Sequence, residues 1–121
     1  MKLSEIISSF VILLLVFVLV GCKKAATPLI LTEIGPSKTK AAQGFNPQAH
    51  GESAIWANAQ NTTDTTVIIW GETKLPTFNH NKVVLTAPVA KELYAKAGQY
   101  NVYLLDTKTG AKSNSLVFTV E

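Results

Sequence analysis

The chain has 121 residues, of which 47% are apolar and 16% are charged, and it contains one cysteine and no arginine. This length holds one small domain and excludes a multidomain enzyme. The net charge of +3 comes from lysines dispersed along the chain. Because arginine, the side chain best suited to bidentate contact with phosphates and bases, is absent, we expect no nucleic-acid partner.

The N-terminal region has the three parts of an export signal. Lys2 lies in a short polar stretch, residues 6–20 form an apolar run, and small or aliphatic residues then lead to Cys22. Fifteen helical residues span about 22 Å, which is less than the roughly 30 Å hydrocarbon layer that a stable transmembrane helix crosses. The pattern therefore favours a helical signal peptide over a permanent transmembrane helix.

The segment Leu19-Val20-Gly21-Cys22 resembles the lipobox of bacterial lipoproteins. The resemblance implies cleavage between Gly21 and Cys22, a diacylglyceryl group on the Cys22 sulfur, and an acyl chain such as palmitate on the freed amine. Several chains anchor a protein far more firmly than one, since each buried CH₂ contributes about 0.8 kcal/mol. The alternative is an ordinary secretory signal followed by a chance cysteine.

The resemblance to lipoproteins also implies an organisation and a location. Residues 1–21 are expected to be the signal peptide, residues 22–27 a lipidated tether, and residues 28–121 a domain outside the cytoplasm in a bacterial cell envelope. Lys23 stands where some lipoproteins retained at the inner membrane carry an acidic residue, so the outer membrane or cell surface is favoured. With one cysteine, the exported domain folds without a disulfide and has neither a catalytic thiol nor a cysteine-ligated metal.

Residues 28–121 predict an all-β fold. Short apolar runs alternate with turn-forming segments, and no apolar stripe with a period of 3.6 is long enough for a major helix. Strands at this spacing predict an antiparallel β-sandwich. Only residues 91–96 look helical, and Gly98 would end that helix. The candidate strands are residues 29–34, 53–59, 65–70, 82–87, 100–105 and 115–120.

Alternation of side chains along these strands separates core residues from outward residues. It turns Trp56, Tyr103 and Leu105 outward. Tyr100 begins a strand just after Gly98, the place of a tyrosine-corner residue that bonds nearby backbone. The run 65–70 is apolar on both faces, which predicts a strand inside a sheet. The expected inward residues are Ile55, Ala57, Ala59, Tyr100, Val102, Leu104, Leu116, Phe118 and Val120.

Four stretches of the exported part resemble IPT/TIG domains: residues 31–36 (LTEIGP), 85–89 (LTAPV), 97–103 (AGQYNVY) and 113–120 (SNSLVFTV). Their order and spacing match strands and corners that a sandwich of this size needs. The resemblance implies an immunoglobulin-like antiparallel sandwich of about seven strands. It also implies a non-enzymatic accessory module of the kind found in extracellular proteins.

Three outward residues are candidates for partner binding. Trp56, Tyr103 and Leu105 have no evident role in the core, and aromatic or apolar side chains on a flat sheet stack on sugar rings or anchor a protein partner. We therefore expect a glycan or an envelope protein as partner. The alternative is that these side chains are covered by a loop or lie singly on the surface.

Two other classes of function stay open. A small exported hydrolase would use loop residues around His50 and Glu52, and it requires His50 to lie within hydrogen-bond reach of a carboxylate and a nucleophile. A purely architectural subunit would dock by a sheet edge onto an envelope assembly. His50 and His80 are two isolated loop histidines without the three or four converging ligands of a zinc site, so no metal or cofactor is expected.

Overall fold

Nine strands and one turn of 3₁₀ helix form over residues 27–121, the part of the chain that the computed structural model describes. The predicted signal peptide (residues 1–21), its cleavage site at Gly21 and the predicted lipidation site at Cys22 lie outside the described residues. The 3₁₀ turn spans Lys91–Tyr94. The strands are β1 (Ile30–Gly35), β2 (Lys38–Thr39), β3 (Ser53–Gln60), β4 (Thr66–Trp70), β5 (Thr73–Lys74), β6 (Phe78–Asn79), β7 (Val84–Val89), β8 (Gly98–Asp106) and β9 (Leu116–Val120).

The strands form two packed sheets, so the predicted immunoglobulin-like sandwich is confirmed. The four-stranded sheet has the order β1-β3-β7-β6, and the five-stranded sheet has the order β2-β9-β8-β4-β5. Every pairing is antiparallel except that of β2 with β9, which is parallel. This parallel pair departs from the fully antiparallel sandwich that the sequence predicts. It arises because the chain passes from β1 to the other sheet through only Pro36 and Ser37 and keeps its direction. Within residues 27–121, no helix is long and apolar enough to span a bilayer.

All six predicted strands are present, with ends that differ by at most two residues. The predicted strand with two apolar faces, β4, lies inside its sheet between β8 and β5. The predicted helix over residues 91–96 is shorter than expected, a single 3₁₀ turn that ends at Tyr94. Three strands, β2, β5 and β6, were not predicted. Each has only two residues, too few to show an alternating pattern.

The core contains the side chains that alternation assigned to it. Ile55, Ala57, Ala59, Val102, Leu104, Phe118 and Val120 are each at most 3% exposed. Tyr100 and Leu116 are half-buried and pack against this core. At one end of the sandwich Trp70 lies against Phe118, with ring centroids 4.6 Å apart, and its indole N–H donates to the carbonyl of Leu93 at 3.2 Å.

Tyr100 forms the tyrosine corner that its position predicts. Its hydroxyl donates to the backbone carbonyl of Lys96 at 2.8 Å, and its ring stacks on Trp70 with a centroid separation of 5.7 Å. The bond fixes the segment that enters β8 after the 3₁₀ turn. Tyr100 is therefore a structural residue, as the sequence indicates.

Residues 27–29, 61–65, 80–83 and 107–111 form one end of the sandwich, here called the N-terminal pole. At its centre the Asp106 carboxylate accepts hydrogen bonds from the hydroxyls of Thr65 at 2.7 Å and Thr63 at 2.8 Å. The backbone N–H groups of Lys108 and Thr109 also donate to it. These bonds, led by the one from Thr65, outweigh the opposing effect of burial and lower the pKa of Asp106 from 3.8 to about 2.

We expect the substitution Asp106→Asn to destabilise the fold at neutral pH and to remove part of its acid sensitivity. A carboxyl whose pKa is lower in the folded chain stabilises the fold above the unfolded value of 3.8, and this contribution is lost as the pH falls toward 2. Thermal denaturation from pH 7 to pH 2 measures both effects.

Asp64 provides the matched control, because its carboxylate is exposed on the loop that carries Thr63 and Thr65. Asp64→Asn is expected to change the melting temperature at neutral pH by no more than about 2–4 °C, the shift that about 0.5 kcal/mol produces in a domain of this size. If wild type and Asp106→Asn lose stability in parallel between pH 4 and pH 2, the role assigned to the Asp106 carboxylate is wrong.

Candidate binding groove

Three side chains form a row across the outer face of the four-stranded sheet. Trp56 on β3 pairs with Thr86 on β7, and Thr86 pairs with Phe78 on β6. Residues opposite each other on neighbouring strands project from the same face. Because β3 and β6 are two strand spacings apart, the backbones of Trp56 and Phe78 lie about 9.6 Å apart. Phe78 is 61% exposed, and Trp56 is half-buried.

This row forms the floor of a depression, here called the binding groove, with a volume of about 620 Å³. One wall is the loop before β3, which contributes Asn46, Pro47 and Gln48. None of the lining residues is a lysine, aspartate or glutamate, and most of them are apolar. The other lining residues are Ala54, Ile55, Trp56, Phe78, His80, Thr86, Ala87 and Pro88.

The indole of Trp56 is held against the backbone of β1. Gly35 pairs with Trp56, and a Cβ atom at Gly35 would overlap the indole ring. The side-chain amide of Asn46 donates to the carbonyls of Gly35 at 3.3 Å and Ala54 at 3.2 Å, and this places the loop wall beside the indole. The indole is therefore positioned by backbone contacts before any ligand arrives, which lowers the ordering cost of binding.

Polar groups lie beside the two aromatic rings. His80 Nε2 and the hydroxyl of Thr86 are 2.8 Å apart and hydrogen-bonded. Thr86 stands between Trp56 and Phe78 in the row, and His80 is exposed at the groove margin. Imidazole and hydroxyl groups both donate and accept hydrogen bonds. The arrangement thus offers two apolar ring faces, and the groups between and beside them can each donate or accept a hydrogen bond.

The structure separates the three outward residues that the sequence singles out. Tyr103 and Leu105 lie on β8, where they pair with Ile69 and Val67 on the outer face of the five-stranded sheet. They are half-buried, and the Tyr103 ring has the Lys112 ammonium 5.9 Å from its centroid. Trp56 lies on the opposite sheet. The three residues therefore do not form one surface.

The residues that do join Trp56 are Phe78 and His80. The sequence predicts no strand at residues 78–79 and therefore assigns Phe78 to neither face of a sheet. One feature of the sequence does point to Phe78. It is the only aromatic residue in the polar segment between Pro76 and Asn81, where no core role is evident. The sequence predicts a loop at His80, and the side chain is exposed. Its hydrogen bond to Thr86 depends on the pairing of β6 with β7, which the sequence does not show.

His50 and Glu52 lie on the exposed loop before β3. The imidazole of His50 makes no hydrogen bond with residues 27–121. The neighbouring Ser53 is 2% exposed, and its hydroxyl accepts from the N–H of Phe45 at 3.0 Å and bonds the hydroxyl of Tyr94 at 2.9 Å. This serine therefore holds the loop against the core. In the described part of the chain, no three His, Asp or Glu side chains are grouped as metal ligands.

No protein-family model matches the chain, and no curated protein matches it in sequence. The assignment to the class of immunoglobulin-like β-sandwiches therefore rests on the sheet topology, and any functional assignment rests on the groove.

We expect Gly35→Ala to displace the indole of Trp56, because the new methyl group and the indole cannot occupy the same space. Overpacking of this kind costs roughly 1–3 kcal/mol. The melting temperature and acrylamide quenching of tryptophan fluorescence measure the loss of stability and the exposure of the ring.

The double variant Gly35→Ala/Trp56→Ala is the control, because removal of the indole makes room for the methyl group. It is expected to be less destabilised than the sum of the two single variants. Strict additivity would show that Trp56 does not lie on Gly35.

Proposed function

We propose that the protein is a lipid-anchored, non-enzymatic binding module of the IPT/TIG type in a bacterial cell envelope, and that its binding groove recognises a glycan. The observation that carries this proposal is the row of Trp56, Thr86 and Phe78 on a flat sheet face. The lipobox-like segment at Cys22 supports the anchor, and Lys23, in place of an acidic residue, favours a position at the outer membrane or cell surface.

The chemistry of the groove favours a sugar. Aromatic rings offer flat apolar faces with a negative quadrupole, which suit the C–H faces of pyranose rings. The hydroxyl of Thr86 and the imidazole of His80 suit sugar hydroxyls, which also both donate and accept. Since no lysine, aspartate or glutamate lines the groove, a neutral glycan fits better than an acidic one.

The separation of the two aromatic residues bears on the size of the ligand. Stacked rings have centroids about 4.5–7 Å apart, whereas the backbones of Trp56 and Phe78 are about 9.6 Å apart, and the indole of Trp56 lies over Gly35 on the side of β3 away from β6. The two side chains therefore contact different parts of a ligand. An oligosaccharide with at least two rings uses both aromatic faces, and a monosaccharide uses one.

We expect Phe78→Ala to reduce binding of a neutral oligosaccharide by roughly tenfold, or about 1.4 kcal/mol, as loss of one stacked ring would. Because Phe78 is 61% exposed, its removal is expected to leave the fold intact. A glycan array identifies the ligand, and isothermal titration gives the affinities of wild type, Phe78→Ala and Trp56→Ala.

Tyr103→Ala is the matched control, since it truncates an aromatic residue on the opposite sheet. It is expected to bind as wild type does. Loss of binding in Tyr103→Ala with normal binding in Phe78→Ala would move the site to the five-stranded sheet. If no glycan binds and a protein partner is found that Phe78→Ala releases, the ligand of the groove is a protein and not a glycan.

The lipid anchor gives a separate prediction. Cells that express the wild-type chain and are fed an alkyne fatty acid are expected to label it, whereas the Cys22→Ser variant takes no label because the sulfur is absent. Mass spectrometry of the mature wild-type chain is expected to find its N-terminus at Cys22. Lys23→Ala, which leaves the cysteine in place, is expected to be labelled normally. Recovery of wild-type chain with Met1 and a free thiol would contradict the anchor.

A further inference from the structure

The N-terminal pole is fixed by hydrogen bonds between its turns. The hydroxyl of Thr62 donates to the carbonyl of Lys82 at 2.6 Å, and the Asn79 amide donates to Thr62 and to the carbonyl of Thr63. The N–H of Lys82 in turn donates to Asn79 Oδ1 at 2.7 Å. The turn before β7 is thereby tied to the loop before β4.

An apolar residue stands exposed on this turn. Val83 is 52% exposed, and the exposed Lys82 precedes it. Lys108, also exposed, lies in the pole, and the exposed Lys112 lies just outside it, with its ammonium beside the Tyr103 ring. The described acidic residues near the pole are Asp64, which is exposed, and Asp106, which is 5% exposed and accepts four hydrogen bonds. The exposed charged side chains at and beside the pole are therefore three lysines and one aspartate, while the Asp106 charge is buried and fully hydrogen-bonded.

The position of the pole in the chain limits what it can face. Five residue steps separate Cys22 from Thr27, and at about 3.5 Å each they reach at most roughly 17 Å. β8 runs the length of the sandwich, and its nine residues span about 27 Å. When the long axis of the sandwich is perpendicular to the membrane, a lipid at Cys22 therefore places the N-terminal pole against that membrane and keeps the opposite pole away from it.

We propose that the N-terminal pole docks on the anionic phospholipid headgroups of the bilayer that holds the Cys22 lipid, with Val83 entering the interface; this inference rests on the proposed lipid anchor. Lysines near an anionic leaflet are attracted to it within a Debye length, and an apolar side chain among them gains by leaving water. Lys23 and Lys24 in the tether add to the same charge.

This orientation leaves the binding groove open. Trp56 is four residues from Gln60, the pole-side end of β3, so it lies about 13 Å from that end along the strand. The groove is on an outer sheet face, which stands upright when the pole rests on the membrane. A lipid-anchored domain that lay on its four-stranded sheet would instead cover Trp56 and Phe78.

The test uses the full chain, expressed and processed in bacteria and reconstituted in liposomes that contain phosphatidylglycerol. In separate variants, Val83→Cys and Ala95→Cys introduce a thiol at the N-terminal pole and at the opposite pole. Because a lipidated Cys22 has no free thiol, a polarity-sensitive fluorophore reacts only with the new cysteine. Brominated phospholipids then quench a fluorophore that lies in the membrane interface.

We expect bromolipid to lower the emission at position 83 at least about twofold and to leave the emission at position 95 nearly unchanged, since quenching requires contact with the interface. Replacing phosphatidylglycerol by phosphatidylcholine, or adding Lys82→Glu and Lys108→Glu, is expected to reduce the quenching. Thr109→Cys, in the same pole, gives an independent reading if Val83→Cys lowers the melting temperature.

Chain that floats with the liposomes but shows no quenching at positions 83 and 109, or equal quenching at 83 and 95, overturns the docking inference alone. Quenching that is the same with neutral and anionic lipid also overturns it, because the assigned headgroup chemistry is then wrong. Wild-type chain that takes the fluorophore at Cys22 or does not float with the liposomes overturns the lipid anchor, and the docking inference with it.

Discussion

The fold depends on burial of alternate residues between two sheets. Ile55 and Leu85 from the four-stranded sheet, and Ile68, Leu104 and Phe118 from the five-stranded sheet, are at most 1% exposed. Complete burial of such a side chain contributes about 1.5–3 kcal/mol. No disulfide links the sheets within residues 27–121, because the only cysteine precedes them, so this burial is what holds them together. Each of the six longer strands therefore keeps one apolar face inward.

The same alternation places the remaining residues of each strand on an outer face. In the four-stranded sheet this turns Trp56, Thr86 and Phe78 outward in one row. The core does not require an exposed phenylalanine at the edge strand β6, since Phe78 is 61% exposed there. Phe78 is thus a groove residue that the fold positions without depending on it for stability, as surface sites are generally carried on a scaffold.

The sequence predicted what periodicity over five or more residues can show. It therefore located the six longer strands, the inward residues and the tyrosine corner at Tyr100. The sequence could not assign strands to sheets. Alternation shows which side chains share a face within one strand, but it does not show which strands are neighbours. For that reason Trp56 was grouped with Tyr103 and Leu105, which lie across the sandwich. Phe78 was missed because a two-residue strand has no period.

The edges of the sheets bear on the alternative of an architectural subunit that docks by a sheet edge. The amide of Asn114 donates to the carbonyl of Leu31 and accepts from its N–H, both at 2.9 Å, so at Leu31 it occupies the edge of β1 as a residue of a paired strand would. The other edge strands, β2, β5 and β6, have two residues each. Strand addition by another chain needs a row of free backbone groups, and these short or occupied edges provide few of them. Recognition through an outer sheet face is thus better supported than docking through an edge.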